Sequence, residues 1–290
     1  MNDYLLSVLL GVIEGVTEFL PISSTAHLRI TEALLHLDLS DSFWKMYSIV
    51  IQLGAILALP VYFRTPLLHF ISTFPRGDRG DRNVFTHPLS LVLIAFVVTA
   101  VPAFLLKKQI GQNLENLHVM AWALLIGGIV MWVVDALCRR PKIERLEGMD
   151  LPRAIWIGAV QILSAVFPGT SRSMCTIAAG QTAGLTRAAA LEFSFFLSIP
   201  TMVVATGYDL LKTIRPHRHD PAAEAGLAPL VMTSHNWVVL AIGFLISFLV
   251  ALAVVAWFMR WVRSRGFVPF AVYRIVVGLA LLILLARGLV

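Results

Sequence analysis

Glu14 and Glu18 stand four residues apart inside an apolar N-terminal stretch, and Pro21-Ile22-Ser23-Ser24-Thr25-Ala26-His27 follows directly. Residues i and i+4 share one face of a helix, so the two carboxylates point the same way. They repel each other and resist entry into lipid, and an ionisable group inside an apolar stretch is a functional candidate by default. A metal, a proton or a cationic partner would stabilise the pair. Ser23, Ser24 and Thr25 bring hydroxyls and free backbone N–H groups to the start of a new helix, a ready anion site. His27 lies within reach of the same pocket. A second segment, Pro168-Gly169-Thr170-Ser171-Arg172-Ser173, repeats the hydroxyls around a guanidinium. That group is always charged and matches phosphate oxygens bidentately.

Brought together, the two segments supply an arginine and N–H groups for a phosphate and a Glu14–Glu18 pair for a divalent cation bridging to it. His27 or Glu18 suits a general base, and Ser24 a nucleophile or a phosphate-orienting hydroxyl. Gln161 occupies the position equivalent to Glu14 in the second segment and is expected to face the same cavity. Each residue also has an ordinary use: Glu14 and Glu18 as ion-pair partners of Arg172, the serines and Thr25 as helix caps, His27 as a hydrogen bond at a helix start. The clustering at two breaks favours a site over those separate uses.

The elements that must position these groups lie in lipid. The chain has 290 residues, 58% hydrophobic and 14% charged, with mean hydropathy +0.81. A soluble domain carries roughly 25% charged residues, so this is an integral membrane protein. The net charge of +6 falls in short clusters between apolar runs. That pattern fits loops at a membrane surface rather than nucleic-acid binding. The start of the chain has no positive n-region, so no cleavable signal peptide is expected. Cys138 and Cys175 form no disulfide or metal pattern and read as free thiols.

Six runs near 20 residues long read as spanning helices: 43–63, 88–106, 119–137, 189–210, 237–258 and 268–287. Residues 4–37 and 154–186 do not fit that pattern, because each breaks at a proline followed by small hydroxyl residues. Both read as re-entrant helix–break–helix hairpins, since irregular backbone at membrane depth survives only where it lines a cavity or is buried. Gly11, Glu14, Pro21, Ser23 and Ser24 match Gly158, Gln161, Pro168, Thr170 and Ser171 at a constant offset of 147, and Tyr47-Ser48 pairs with Phe193-Ser194 at 146. The expected fold is therefore all-α and integral to the membrane: six full spans plus two hairpins in one domain. It forms an inverted-topology repeat with halves at about 4–137 and 154–287. One face collects twelve loop Lys and Arg residues: Arg64, Arg76, Arg79, Arg82, Arg139, Arg140, Lys142, Arg145, Arg153, Arg260, Arg263 and Arg265. The other collects eight, Arg215 and Arg218 among them, so the richer face is expected to be cytoplasmic and the first hairpin to open outward. Arg274, near the start of the last span, reads as an interfacial anchor, and the His217–Asp220 loop as solvated.

The run from Glu14 to His27 closely resembles the first signature of the undecaprenyl-diphosphatases, the bacitracin-resistance phosphatases of bacterial membranes, and Pro168–Ser173 resembles their second. The segments 50–58, 192–200 and 267–274 are also similar, so the resemblance spans nearly the whole chain. It implies hydrolysis of undecaprenyl diphosphate to undecaprenyl phosphate and inorganic phosphate, recycling the cell-wall lipid carrier at the outer side of the plasma (inner) membrane, with Mg or Ca as divalent metal. By motif match, Glu14 and Glu18 take the acidic motif, Ser24 the essential serine, His27 the histidine and Arg172 the phosphate-binding arginine. Ser171 and Ser173 take the hydroxyls of the second loop. Ala26 and Met174 stand where glycine is usual, which bears on fine pocket geometry. The expected partners are the diphosphate lipid and the bilayer, with a homodimer left open and no nucleic acid. The rival class is a transporter or flippase of polyprenyl phosphates without hydrolysis. For the nucleophile, Ser24 is favoured, with His27 or water as alternatives.

Overall fold

The computed structural model describes residues 2–35, 42–78, 80–114, 116–138, 140–214 and 232–289. Of the residues named above, Arg79, Arg139, Arg215, Arg218 and the 217–220 loop lie outside them. All the named elements are helical: α1 (Asp3–Thr17), α2 (Ser24–Leu34), α3 (Ser42–Tyr62), α4 (Arg64–Thr73), α5 (Pro88–Leu105), α6 (Lys107–Asn113), α7 (Leu117–Leu137), α8 (Leu151–Val166), α9 (Arg172–Thr182), α10 (Arg187–Ile214), α11 (Ser234–Arg265) and α12 (Val268–Ala286). The ends follow local chemistry. Asn2, Asn116, Asp150 and Thr233 accept backbone N–H bonds as N-caps, and prolines open α5, α8 and α12.

Five helices are long and apolar enough to cross a bilayer: α5, α7, α10, α11 and α12. A sixth span is reached if α3 and α4 count together, although they meet at a 68° bend. The expected run 43–63 therefore continues as a second, angled helix. The expected run 237–258 is also longer in the fold, because hydropathy falls before the helix does. The 32 residues of α11 extend about 48 Å, well past a hydrocarbon layer of roughly 30 Å. Its last turns carry Arg260, Arg263 and Arg265.

The helices pair closely. α1 packs along α11, α8 along α5, α7 along α12, and α3 lies against both α10 and α11. Glycine makes two of these contacts close enough. A Cβ on Gly11 would lie 2.9 Å from the Gly243 carbonyl oxygen, and one on Gly158 2.4 Å from that of Ala95. Small residues allow such backbone approach where no hydrophobic drive exists between helices in lipid. Buried polar groups add register. The Tyr47 hydroxyl donates to the Ser7 carbonyl at 2.7 Å and the Ser7 hydroxyl to that of Val239 at 2.7 Å, joining α3, α1 and α11. At the opposite end Asp135 is buried. It accepts from Arg187 Nε at 2.7 Å, Gln181 Nε2 at 3.0 Å and the Phe267 amide at 3.2 Å, holding α7 to α10, α9 and the start of α12.

The elements that carry the candidate residues fold back on themselves. Arg153 Nε donates to the Ala183 carbonyl at 3.0 Å and Trp156 Nε1 to Thr182 Oγ1 at 3.1 Å, so the end of α9 lies beside the start of α8. In the other pair, the Glu32 carboxylate near the end of α2 accepts from Ser48 at 3.4 Å, one residue beyond the Tyr47 that binds the first turns of α1.

The close approach of α8 to α5 yields a test. Gly158→Ala is expected to lower stability by about 1–3 kcal/mol, the usual range for forcing a group into a filled space. Gly207→Ala, whose Cβ would meet nothing within 4 Å, is expected to leave stability unchanged or raise it. Thermal unfolding of both variants in detergent checks this.

Candidate active site

The two breaks share one construction. α1 ends at Thr17, and Pro21, lacking an N–H, prevents the helix from running on. Ser23 then takes φ +74 and caps α2, its Oγ accepting from the Ala26 amide at 3.4 Å. α8 ends at Val166, and after Pro168 and Gly169 comes Ser171 at φ +72, its Oγ accepting from the Met174 amide at 3.4 Å. Left-handed serines are uncommon, and such strain gathers at functional positions. Gly169, at φ +93, is required for a second reason: a Cβ there would lie 2.6 Å from the Met120 carbonyl oxygen. The capping serines correct the expected alignment. The second break holds one more residue between its proline and its cap, so Ser23 corresponds to Ser171 and Ser24 to Arg172. The offset of 147 pairs Ser24 with Ser171 only on paper.

The breaks converge on Glu18. Its Oε2 accepts from the Ser24 hydroxyl at 2.5 Å, and its Oε1 from Arg172 Nη2 at 3.0 Å. Both members of the Arg172–Glu18 ion pair are largely buried, at 12% and 6% side-chain exposure. Three of the four residues expected to do chemistry thus form one connected group. Ser173 Oγ donates to the Leu20 carbonyl at 3.0 Å and lies 3.0 Å from Ser171 Oγ, so these hydroxyls fasten the second break to the first. Arg172 Nη1 reaches the Ser194 carbonyl at 3.5 Å, and Ser194 Oγ accepts from Thr176 at 2.6 Å. His27 sits a turn further on, with Nδ1 2.7 Å from the Ser23 carbonyl and Nε2 2.7 Å from the Tyr273 hydroxyl. Thr25 is half-buried in the first turn of α2. Gln161 turns to other partners, Thr99 at 3.1 Å and Thr201 at 3.3 Å on α5 and α10, with its Oε1 buried and unbonded. Ala26 and Met174 are both buried, Ala26 against Met120 and Leu124 of α7 and Met174 beside Gly127.

Glu14 is fully buried, and neither carboxylate oxygen accepts from an N–H or hydroxyl donor of the described residues. Its carboxyl lies near enough to Glu18 to interact with it. Among the described residues no group of three or more His, Cys, Asp or Glu is arranged to hold a metal alone. Two carboxylates nonetheless suit a hard cation whose remaining positions are filled by phosphate oxygens and water. The Glu14 oxygens, which no N–H or hydroxyl donor satisfies, are the feature that fits such an ion. A cavity of about 1040 Å³ lies elsewhere, lined by Arg145, Arg187, Glu192 and Arg263 among others, and includes none of these residues.

Two residues of α12 belong to the site and were not expected there. Arg274 is no interfacial anchor: it is 0% exposed. Nη1 donates to the Pro21 carbonyl at 3.1 Å, and Nη2 to those of Ala123 at 3.0 Å and Gly169 at 3.1 Å. One guanidinium thereby holds both breaks against α7. Gly127 leaves it room, since a Cβ there would fall 2.3 Å from Nη2. Tyr273, its neighbour, binds His27. The available signal was an arginine within an apolar run, the same cost argument that singled out Glu14 and Glu18.

The model of the family described as bacitracin resistance protein BacA matches residues 7–280. An undecaprenyl-diphosphatase of Koribacter versatilis is 65% identical over 283 residues, covering 97% of this chain and 98% of the relative. One of Caldanaerobacter subterraneus is 38% identical, covering 97% and 96%. One of Rhizobium etli is 40% identical over 290 residues, covering 99% of each.

Arg274→Met is expected to lower stability by an amount on the order of 3 kcal/mol, because buried carbonyls lose a charged donor. Arg274→Lys, which keeps a charge and three donors, is expected to recover part of it. Unfolding midpoints in detergent distinguish the two.

Proposed function

The chain belongs to the bacitracin resistance protein (BacA) family, and from that membership and the joined Ser24–Glu18–Arg172 group we propose that it hydrolyses undecaprenyl diphosphate to undecaprenyl phosphate and inorganic phosphate. The observation that carries the chemistry is the Glu18 carboxylate, which accepts from a serine of one break and an arginine of the other. The relatives are named for hydrolysis and not for transport, which favours this reading over a flippase.

In this reading Arg172 binds the terminal phosphate, with the N-termini of α2 and α9 beside it. Ser171 and Ser173 keep the second break at the phosphate. Ser24 Oγ attacks the terminal phosphorus as Glu18 Oε2 takes its proton. The Oγ–P bond forms, the anhydride P–O bond breaks, and undecaprenyl phosphate leaves. Water then attacks the phosphoserine, giving its proton to the His27 side of the site, while Glu18 returns its proton to Ser24 and inorganic phosphate departs. Phosphoryl transfer is mostly positioning and charge stabilisation, which these groups supply. Glu14 and Glu18 would hold a divalent metal, Mg or Ca, which when bound neutralises charge on the diphosphate.

The same reading makes α1–α2 and α8–α9 two re-entrant hairpins of an inverted repeat. Exchanging α1, α2, α3, α5 and α7 for α8, α9, α10, α11 and α12 carries the α1–α11 pairing onto α8–α5, α1–α2 onto α8–α9 and α3–α11 onto α10–α5, and the two left-handed capping serines correspond. With the arginine-rich loops cytoplasmic, the first hairpin opens to the outer face of the inner membrane.

In detergent with Mg or Ca, the wild type is expected to release phosphate from undecaprenyl diphosphate, and EDTA to stop it. Ser24→Ala and Arg172→Ala are each expected to lower kcat/KM by about 100-fold or more, as loss of one preorganised group does. A wild type that releases no phosphate under these conditions overturns the reading.

A further inference from the structure

His27 and Tyr273 lie 246 residues apart in sequence and form one hydrogen-bonded pair. His27 Nδ1 is 2.7 Å from the Ser23 carbonyl oxygen. A carbonyl can only accept, so Nδ1 carries the proton of the neutral ring. Nε2 is then the nitrogen with a lone pair, and the Tyr273 hydroxyl 2.7 Å away donates to it. The two rings are nearly parallel, 10° apart with centroids at 5.6 Å, which fixes the direction of that lone pair. Tyr273 is 42% exposed, whereas His27 is half-buried. The hydroxyl thus occupies the lone pair of Nε2, and the imidazole has no second lone pair in the ring plane. A molecule that loses a proton to His27 must pass it through the Tyr273 oxygen or displace that hydroxyl. Arg274, the adjacent charge on α12, is bonded to three carbonyls and has no lone pair with which to take part.

We propose that Tyr273 is the proton relay of the hydrolytic half-reaction, an inference that rests on the hydrolase reading above. The attacking water donates to the Tyr273 oxygen. As the water oxygen bonds to phosphorus, its proton moves to Tyr273, and the tyrosine's own proton moves to His27 Nε2. The imidazolium that forms donates from Nδ1 to Ser23 and from Nε2 to Tyr273. It returns to neutral when the hydroxyl passes a proton to bulk water. No electrons change hands, and the only heavy-atom bonds made and broken are those to phosphorus.

Tyr273→Phe removes the hydroxyl and keeps the stacked ring, so it tests the relay without opening the fold. With a polyprenyl diphosphate in detergent, kcat is expected to fall about 10–100-fold, within the range of a single acid–base contribution, while KM changes less than about threefold. His27→Gln is expected to lose a similar factor. The double variant should lose no more than His27→Gln alone, because groups acting as one unit are not additive. An unchanged kcat in Tyr273→Phe, a harmless His27→Gln, or losses that multiply in the double variant would each overturn the relay while Ser24→Ala still reports on hydrolysis. Nitrogen-15 spectra of histidine-labelled protein, with the His27 signal assigned by its loss in His27→Gln, give a readout independent of turnover. The Nδ1–H tautomer is expected, and an Nε2–H tautomer overturns the proposal.

Discussion

Arg274 carries a full charge at zero exposure, and its donors go to the carbonyls of Pro21, Ala123 and Gly169. Two of those carbonyls belong to broken backbone, one in each hairpin, and the third to an intact helix. Non-helical backbone in a bilayer is tolerated only where its polar groups find partners inside the protein. The guanidinium provides those partners for both breaks at once, and so fixes them relative to each other. The 3.0 Å bond from Arg172 to Glu18 requires the second break to stand against the first, and the bond from Ser173 to Leu20 crosses the same seam.

The rest of the architecture serves this junction. Each break needs a chain reversal, and each obtains it from a proline that stops one helix and a left-handed serine that caps the next. The serine oxygen caps an N–H, yet the first turns of α2 and α9 still carry further unbonded amides, as every helix start does. Two helix starts and an arginine then face the place where Glu18 and Ser24 already meet. The glycines at 11 and 158 let α1 and α8 lie directly on α11 and α5, so the breaks are carried on closely packed supports. Asp135 does comparable work at the far end, where it joins α7, α9, α10 and α12 through one buried carboxylate.

Much of this was legible in the sequence for a physical reason: lipid makes polar groups conspicuous. Glu14, Glu18, the Ser23–His27 run and Arg172 stood out because nothing idle survives at that cost, and the fold brings Glu18, Ser24 and Arg172 together. The long apolar runs likewise marked α5, α7, α10, α11 and α12. What was not legible depended on tertiary partners. Arg274 sits six residues into its helix, a position that also suits an anchor at the membrane surface, and only the three carbonyls reveal it as buried. Tyr273 carries no signal of its own in the sequence, and only His27 beside it marks it. The two left-handed capping serines, Ser23 and Ser171, stand 148 residues apart rather than 147, and only their φ angles reveal them. The bend between α3 and α4 falls at Phe63, where the expected run ends and Arg64-Thr65-Pro66 begin; what the composition did not mark is that a further helix starts there.

The two buried arginines are not interchangeable, and their partners divide the labour between them. Arg274 commits both terminal nitrogens to carbonyl oxygens, which are neutral and fixed in the backbone. Its Nε is buried without a partner, and the whole side chain is shut away at zero exposure. Arg172 instead bonds one carboxylate at 3.0 Å and one carbonyl at 3.5 Å, and a guanidinium has five N–H donors. Donors remain for an incoming anion, and the carboxylate it touches is the one bonded to Ser24. An anion arriving at Arg172 competes for the charge that holds Glu18. The carboxylate that would share its arginine with the anion is the one that accepts from Ser24. In the proposed mechanism, phosphate binding at Arg172 and proton transfer from Ser24 would thus be linked through the single carboxylate of Glu18, while Arg274 keeps the breaks in register.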